Sequence, residues 1–287
     1  MAWPHPQNPL DWLSQYWNIR CGRRVDMKED AWLLGPIGAI GERAETFIDR
    51  IAQAEGLATN PAGLGLVDDL NTFDVSVKPS IKSFYERTSE FTIDAWTRWN
   101  PIFGTFGYLI NRLYSRRIQQ LNLPLDSLDT AGGISSEIIW LTNADNQPIY
   151  RIWHRRLRQS GEVIFYGIYT DCLLPSGRTC IKAIFPLPRG SATVIFSMSA
   201  DPAGNLELLS SGKTYGDPGF YFIVEDQRGA LWKHYLKSFH ERLYLFEDPD
   251  GIVRADHTMS LGRNQVYGLH YKLTHRRGGD QNVNPRS

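Results

Sequence analysis

The feature that most constrains this chain is an alternation of apolar and polar residues that runs, with short interruptions, from about residue 137 to residue 275. A period of two is typical of β-strands, because successive side chains of a strand point to opposite faces of the sheet. The interruptions are rich in Pro, Gly, Asn and Asp, which tight turns require. The candidate strands cover residues 137–141, 149–158, 162–170, 180–187, 192–200, 206–213, 220–225, 252–261 and 265–275.

About nine strands in one stretch of chain rarely make a flat sheet, because a twisted sheet of that size curls or closes. One helix is predicted within the series, at residues 232–243, where apolar residues recur at spacings of three and four. On that helix Glu241 is expected to face outward. The predicted fold class is therefore α+β, with N-terminal helices packed on a strongly curved, mostly antiparallel sheet or barrel that contains one embedded helix.

The first third of the chain is predicted to be helical. Asn8 followed by Pro9 is a typical helix start, and a second helix is expected to end at Gly56. The strongest helical periodicity covers residues 79–99, and a further helix is predicted over residues 106–121.

Three regions follow from these patterns. A helical region is expected over residues 1–130, a barrel or half-barrel over residues 131–276, and a disordered tail over residues 277–287. The first two regions are expected to form one integrated domain.

Composition argues against several classes of partner. The 287 residues carry 31 basic and 31 acidic side chains, so the formal net charge is zero. Nucleic-acid binding normally requires a basic excess, and none is expected here. No apolar stretch approaches the ~20 residues of a transmembrane helix. The N-terminus also lacks the basic and apolar regions of a signal peptide. We expect a cytoplasmic protein with no integral membrane segment.

No motif for a cofactor is present. The sequence has no Cys-x-x-Cys, His-Glu-x-x-His or Gly-x-Ser-x-Gly, and its glycine loop at residues 35–41 matches neither a dinucleotide fingerprint nor a P-loop. We expect neither a metal nor a nucleotide cofactor. Cys172 and Cys180 are symmetric about Ser176, so a hairpin would place them opposite each other. We expect free thiols rather than a disulfide in the cytoplasm.

The strand at residues 149–158 is unusual because each of its two faces mixes apolar and charged residues. Arg151, Trp153 and Arg155 share one face. One interpretation is a sheet edge, where charge deters aggregation. The other is a strand whose arginines point into a partly polar cavity and bind a carboxylate, phosphate or enolate oxygen.

Three other groups are candidate site residues. His257 lies on the strand face of Val253 and Ala255, so it is either a hydrogen-bonded core residue or a general acid or base. Asp217 either forms the turn before residue 220 or pairs with Tyr215 or Tyr221 in acid–base chemistry at the barrel mouth. A third group either belongs to the core or covers a hydrophobic pocket, and it comprises Trp96, Trp99 and Phe103.

These patterns favour a barrel that encloses an aromatic-lined pocket for an apolar or amphipathic small molecule. If the chain is an enzyme, it would work without a cofactor by cyclisation, isomerisation, dehydration or hydrolysis. His257 would transfer a proton, an arginine of residues 151–158 would hold an anionic oxygen, and Tyr221 or Asp217 would assist. The alternatives are a non-catalytic lipid or small-molecule carrier or sensor, and a protein-interaction module whose barrel is filled by its own side chains.

Overall fold

The computed structural model describes residues 2–60, 64–100, 134–158, 161 and 163–276. Three α-helices lie in this part of the chain: α1 (Pro9–Cys21), α2 (Ala44–Glu55) and α3 (Pro79–Glu86). Its fourteen strands are β1 (Arg23–Arg24), β2 (Ala58–Asn60), β3 (Phe91–Trp99), β4 (Ile134–Thr142), β5 (Pro148–Leu157), β6 (Val163–Leu173), β7 (Thr179–Leu187), β8 (Gly190–Ala200), β9 (Leu206–Ser210), β10 (Gly219–Glu225), β11 (Leu231–Tyr235), β12 (Phe239–Glu247), β13 (Val253–Leu261) and β14 (Asn264–His275).

Ten of the strands close into an antiparallel barrel. The order is β3, β14, β13, β12, β9, β8, β7, β6, β5 and β4, and β4 then pairs with β3. Each of the nine strands predicted from the alternation overlaps one of these strands or β10. The predicted α+β class, with N-terminal helices on a strongly curved antiparallel barrel, is confirmed.

Strand β8 belongs to two sheets at once. Its first half, from Gly190 to Ile195, pairs with β10, and its second half, from Ser197 to Ala200, pairs with β9. Strand β10 continues outward to β11 and then to β1. We call β10, β11 and β1 the outer sheet. It stands beside the barrel and shares only β8 with it.

The core has three parts. The largest fills the barrel and includes Phe91, Ile138 and Tyr267. A second lies between α2 and the outside of the barrel wall, and there Phe47 packs against Tyr166 with ring centroids 5.5 Å apart. A third lies under the outer sheet. It includes Leu33, Ile195, Tyr221 and the directly paired, free Cys172 and Cys180.

A buried ion pair connects strand β11 of the outer sheet to the loop that follows β1. The Asp30 carboxylate accepts hydrogen bonds from Lys233 on β11 and from Tyr215. Burial alone would raise the pKa of Asp30, but these two hydrogen bonds, a third from the Asp26 amide and the charge of Lys233 together lower the pKa below the ordinary value of 3.8. Asp30 is therefore an ionised anchor of the outer sheet.

Helix α1 packs on the protein with its polar side. Asp11, Gln15 and Asn18 are buried together with one apolar residue, Ile19, whereas Leu13 and Trp17 are 60% and 61% exposed. The Gln15 side chain donates to the Pro188 carbonyl, and Asn18 Oδ1 lies 2.8 Å from Nδ1 of His234 on β11. At the end of the helix, a Cβ on Gly22 would lie only 2.6 Å from the Lys233 carbonyl oxygen, so this close approach requires glycine.

The helix predicted over residues 79–99 is wrong in its second half. Helix α3 ends at Glu86, and the Thr88 hydroxyl donates to the Phe84 carbonyl at 2.7 Å, which caps the helix. Strand β3 then begins at Phe91, and its residues alternate between buried and partly or fully exposed. The apolar residues at 91 and 95 fit a helix as well as a strand, and pairing with β14 along the whole of β3 decides the outcome.

The embedded helix predicted at residues 232–243 is also wrong. These residues form β11 and most of β12, joined by a turn at residues 236–239. The apolar spacing of three and four arises because the chain changes face at the turn. The aromatic residues of the segment also suit a strand better than a helix.

Other predictions hold or lie outside the described residues. Helix α1 begins at Pro9 with Asn8 accepting a hydrogen bond from the Leu10 amide at 3.0 Å, and α2 is followed by Gly56 in the left-handed conformation (φ 65°). Phe103, the helix predicted at residues 106–121, the boundary at residue 130 and the tail at residues 277–287 lie outside the described residues.

Candidate functional site

The barrel encloses a cavity of about 90 Å³. Most of its wall is apolar and comes from strands on all sides of the barrel. Leu66 and Phe84, which precede β3, contribute to the same wall. The apolar lining residues also include Ile93, Trp153, Ile181, Ala183, Val194, Phe196, Leu208, Leu245, Ala255 and Leu273.

Besides Tyr85, four polar side chains interrupt this apolar wall. Arg155 from β5, Tyr169 from β6, Glu241 from β12 and Tyr271 from β14 all line the cavity. His257 from β13 contacts Glu241 through its Nε2 but does not itself line the cavity. We call these five residues the interior polar cluster.

Arg155 is a buried cation held by aromatic side chains. Its guanidinium carbon lies 3.9 Å from the centroid of the Trp153 ring, a distance typical of a cation–π contact. The guanidinium also hydrogen-bonds to the hydroxyls of Tyr169 and Tyr271. Burial raises the pKa of both tyrosines, and Arg155 only partly opposes that effect. Both hydroxyls therefore stay protonated and can donate.

Glu241 supplies the carboxyl group of the interior polar cluster. It is buried on β12, and one of its carboxylate oxygens (Oε2) lies 2.9 Å from Nε2 of His257. Its backbone N–H donates to the Ser210 hydroxyl at 3.0 Å. Glu241 reaches the cavity wall, so His257 acts on the cavity only through this carboxylate.

The size of the cavity limits what can enter. Pockets for drug-sized ligands measure roughly 300–1,000 Å³, and an engineered apolar cavity of about 150 Å³ holds benzene. A space of about 90 Å³ accommodates a compact molecule of a few heavy atoms.

The predicted arginine strand is divided between two roles. Arg155 and Trp153 line the cavity. Arg151, two residues before Trp153, forms an ion pair with Asp68 at 2.7 Å. The carboxylate of Asp171 lies 4.0 Å from the same guanidinium group. Burial raises the pKa of Asp171, and Arg151 opposes that rise. Arg151 is therefore occupied by carboxylates of the protein itself.

The tryptophans of β3 do not cover the cavity. Trp96 is exposed, and its ring lies 5.9 Å from that of His270. Trp99 packs on Tyr267, with ring centroids 4.4 Å apart, at the edge of the barrel core.

The structure does not bring Asp217 and Tyr221 to His257. The Asp217 carboxylate accepts from the backbone amides of Lys213 and Thr214, both at 2.9 Å, as a turn-forming aspartate does. These hydrogen bonds lower the pKa of Asp217. Tyr221 donates to the Asp217 carbonyl at 2.5 Å and packs in the cluster under the outer sheet.

Sequence reasoning missed Glu241, Tyr169 and Tyr271. The helical spacing of residues 232–243 predicts that Glu241 faces outward. This prediction is wrong because these residues form β11 and part of β12. A signal was present, because residues 239, 241, 243 and 245 alternate as one strand face and Glu241 is its single charged member. Tyr169 and Tyr271 are hard to find, because a tyrosine on an apolar face is an ordinary core residue.

Within residues 2–60, 64–100, 134–158, 161 and 163–276, no three His, Cys, Asp or Glu side chains come together as a metal site. None of the helices in those same ranges has the length and apolar character needed to span a bilayer.

Comparison with known proteins gives one informative similarity. No family model matches the chain, and no solved structure matches it. The chain is 28% identical, over 247 residues, to an uncharacterized membrane protein of Bacillus subtilis (strain 168), YndJ. The match covers 80% of this chain and 41% of YndJ, so the chain spans less than half the length of that relative.

Proposed function

We propose that the barrel binds a compact amphipathic small molecule. The observation that carries this proposal is a buried cation and a buried carboxylate, Arg155 and Glu241, that border empty volume in an otherwise apolar wall. Burying such groups costs free energy unless they are compensated. A ligand with a polar group at the interior polar cluster and an apolar remainder against the wall would use both.

Proton transfer is the chemistry that this arrangement favours if the bound molecule reacts. Glu241 carries the carboxyl group that lines the cavity, and hydrogen bonds in an apolar interior are strong. His257 would act as a positioning residue that orients the carboxylate. Arg155 would hold an anionic oxygen of the bound molecule. The reaction would need no metal or nucleotide, and the alternative is a carrier or sensor that binds without turnover.

The test is to identify a bound molecule and then to remove the site. The protein is purified from two expression hosts and analysed by native mass spectrometry and by solvent extraction with mass analysis. We expect a small molecule in stoichiometric amount. The variant Ala183→Leu fills the cavity from a wall position and should abolish binding.

A matched pair of variants tests the polar half of the site. Glu241→Gln should weaken binding about tenfold or more, because losing a charged hydrogen-bond partner costs roughly 1.5–3 kcal/mol. Glu207→Gln is the control, because Glu207 is a strand glutamate whose carboxylate pairs with Arg242 at 2.6 Å away from the cavity. A protein that is empty from both hosts, or equal binding by the two variants, would contradict the proposal.

A second candidate function, work at a membrane surface, has its own support. The relative YndJ is named a membrane protein, and this chain matches 41% of it. Helix α1 also exposes its apolar side to solvent. Binding of the purified chain to phospholipid vesicles would support this function, and absence of binding to any vesicle would overturn it.

A further inference from the structure

We propose that the exposed face of α1 is a docking surface for an anionic phospholipid membrane. The apolar part of this α1 face consists of Leu10, Leu13 and Trp17, with exposed fractions of 43%, 60% and 61%. Residues 10, 13 and 17 lie on one side of a helix because their spacing is three and four. The inference rests on the second function proposed above and assigns it to particular residues.

Hydrogen bonds between α1 and the rest of the protein fix the orientation of the helix. An amphipathic surface helix normally turns its apolar side to the core. Here Gln15 binds the Pro188 carbonyl, and Asn18 contacts His234 on the outer sheet. These hydrogen bonds hold the polar side inward, so Leu13 and Trp17 cannot turn inward without breaking them. The protein holds an apolar face in solvent that its own core does not use.

The surface next to α1 continues the apolar character. A depression of about 690 Å³ runs between the helix and the outer sheet, and Phe222 and Leu236 form its far side. Trp3 and Trp12 lie beside it, with their ring centroids 5.5 and 5.3 Å from that of Tyr16. Trp and Tyr rings of this kind favour the boundary between headgroups and acyl chains, because one end is apolar and the other is polar.

The charges next to the α1 face are complementary to anionic lipid. Arg20 is exposed on the same side of the helix as Leu13 and Trp17. Arg24 on β1 pairs with Trp232, two residues along β11 from His234, so it is on the side of the outer sheet that α1 covers. Asp11, the single acidic residue of α1, is buried against the protein. Basic residues that flank an apolar helix face with tryptophan are typical of helices that lie in the membrane interface.

Vesicle sedimentation tests the surface. The full chain is mixed with vesicles of phosphatidylcholine alone or of phosphatidylcholine and phosphatidylglycerol in equal parts. We expect binding to the anionic vesicles, weakened by high salt, with a blue shift of tryptophan fluorescence. Leu13→Gln combined with Trp17→Gln should lower the partition coefficient at least tenfold. Arg20→Gln and Arg24→Gln should each lower it about fivefold on anionic vesicles, since a basic residue near such a surface contributes ~1 kcal/mol.

Leu173→Gln is the matched control, because Leu173 is 63% exposed at the end of β6, away from α1. It should bind vesicles as the unchanged protein does. A circular dichroism spectrum equal to that of the unchanged protein is required of each variant, so that a loss of binding does not reflect unfolding.

Three outcomes would overturn the inference, and they are distinguishable. Full vesicle binding by the Leu13 and Trp17 variant would leave membrane association standing and assign it to another surface. No vesicle binding by the unchanged protein would remove both the inference and the membrane function. A dimer in light scattering that the same two substitutions dissociate would identify a second copy of the chain as the occupant.

Discussion

Inside the barrel, Arg155 and Glu241 stand in an apolar wall, and beneath α1, Gln15 and Asn18 stand between a helix and the outer sheet. Both regions bury polar side chains, but the first lies in the wall of a cavity inside the barrel, whereas the second lies at the margin of an open surface depression. Beneath α1 the polar groups bind the protein itself, the Pro188 carbonyl among them. The comparison teaches that buried polarity indicates a ligand site where it faces a cavity. Where the buried polar groups are hydrogen-bonded to the protein itself, as beneath α1, the candidate binding surface is the exposed apolar side of the same helix.

The largest effect is expected from the ion pair that anchors the outer sheet. Asp30→Ala leaves Lys233 buried without its carboxylate, which costs about 4 kcal/mol of unfolding free energy at neutral pH. The pKa of Asp30 is lowered in the folded state, so its contribution is present above the unfolded value of 3.8 and is lost as the pH falls through the lower folded value.

Urea denaturation from neutral to acidic pH measures this difference. The gap in unfolding free energy between the unchanged protein and Asp30→Ala should narrow below about pH 4. A gap that stays constant with pH would show that Asp30 contributes by packing rather than by charge.

An intermediate effect is expected from the apolar wall of the barrel. Leu245 is fully buried on β12 and lines the cavity. Leu245→Ala should destabilise the protein by about 3 kcal/mol, because it enlarges a cavity that the surroundings only partly refill. Thermal and urea unfolding measure the loss. A loss below about 1 kcal/mol would indicate that the barrel interior is loosely packed.

The smallest effect is expected on the α1 face, although the residue type is the same. Leu13→Gln should change the unfolding free energy by less than about 0.5 kcal/mol, because Leu13 is already exposed in the folded state. The same urea titration provides the comparison with Leu245→Ala. A loss comparable to that of Leu245 would mean that Leu13 packs inside the protein and that α1 does not present an apolar face.

Most of the barrel was predictable from sequence because its strands alternate cleanly. Residues 192–200, for example, place Ala192, Val194 and Met198 inside, as the alternation requires. The prediction from periodicity was wrong at residues 91–99 and 232–243. There the apolar residues of the strands also fall at the spacings of three and four that are typical of a helix. In both places pairing with a distant strand decides the structure, and a local pattern does not contain that information.

The candidate site was predictable in part for the same reason. Arg155, Trp153 and His257 were found because each interrupts or shares an apolar strand face. Their convergence on Glu241 depends on barrel closure, which brings β5, β12 and β13 to one interior. The inward polar side of α1 was not predictable, because the partners of Gln15 and Asn18 lie on β11 and next to β8, far along the chain.

Strand β8 belongs to both the barrel and the outer sheet, so its position affects both. Val194 and Phe196 touch the cavity, and the backbone of Val194 pairs with Phe220 of β10. The same backbone segment therefore carries side chains of the cavity wall on one face and the hydrogen bonds of the outer sheet along its edge. A substitution in β8 that shifts this backbone would alter the cavity and the base of the sheet on which α1 packs.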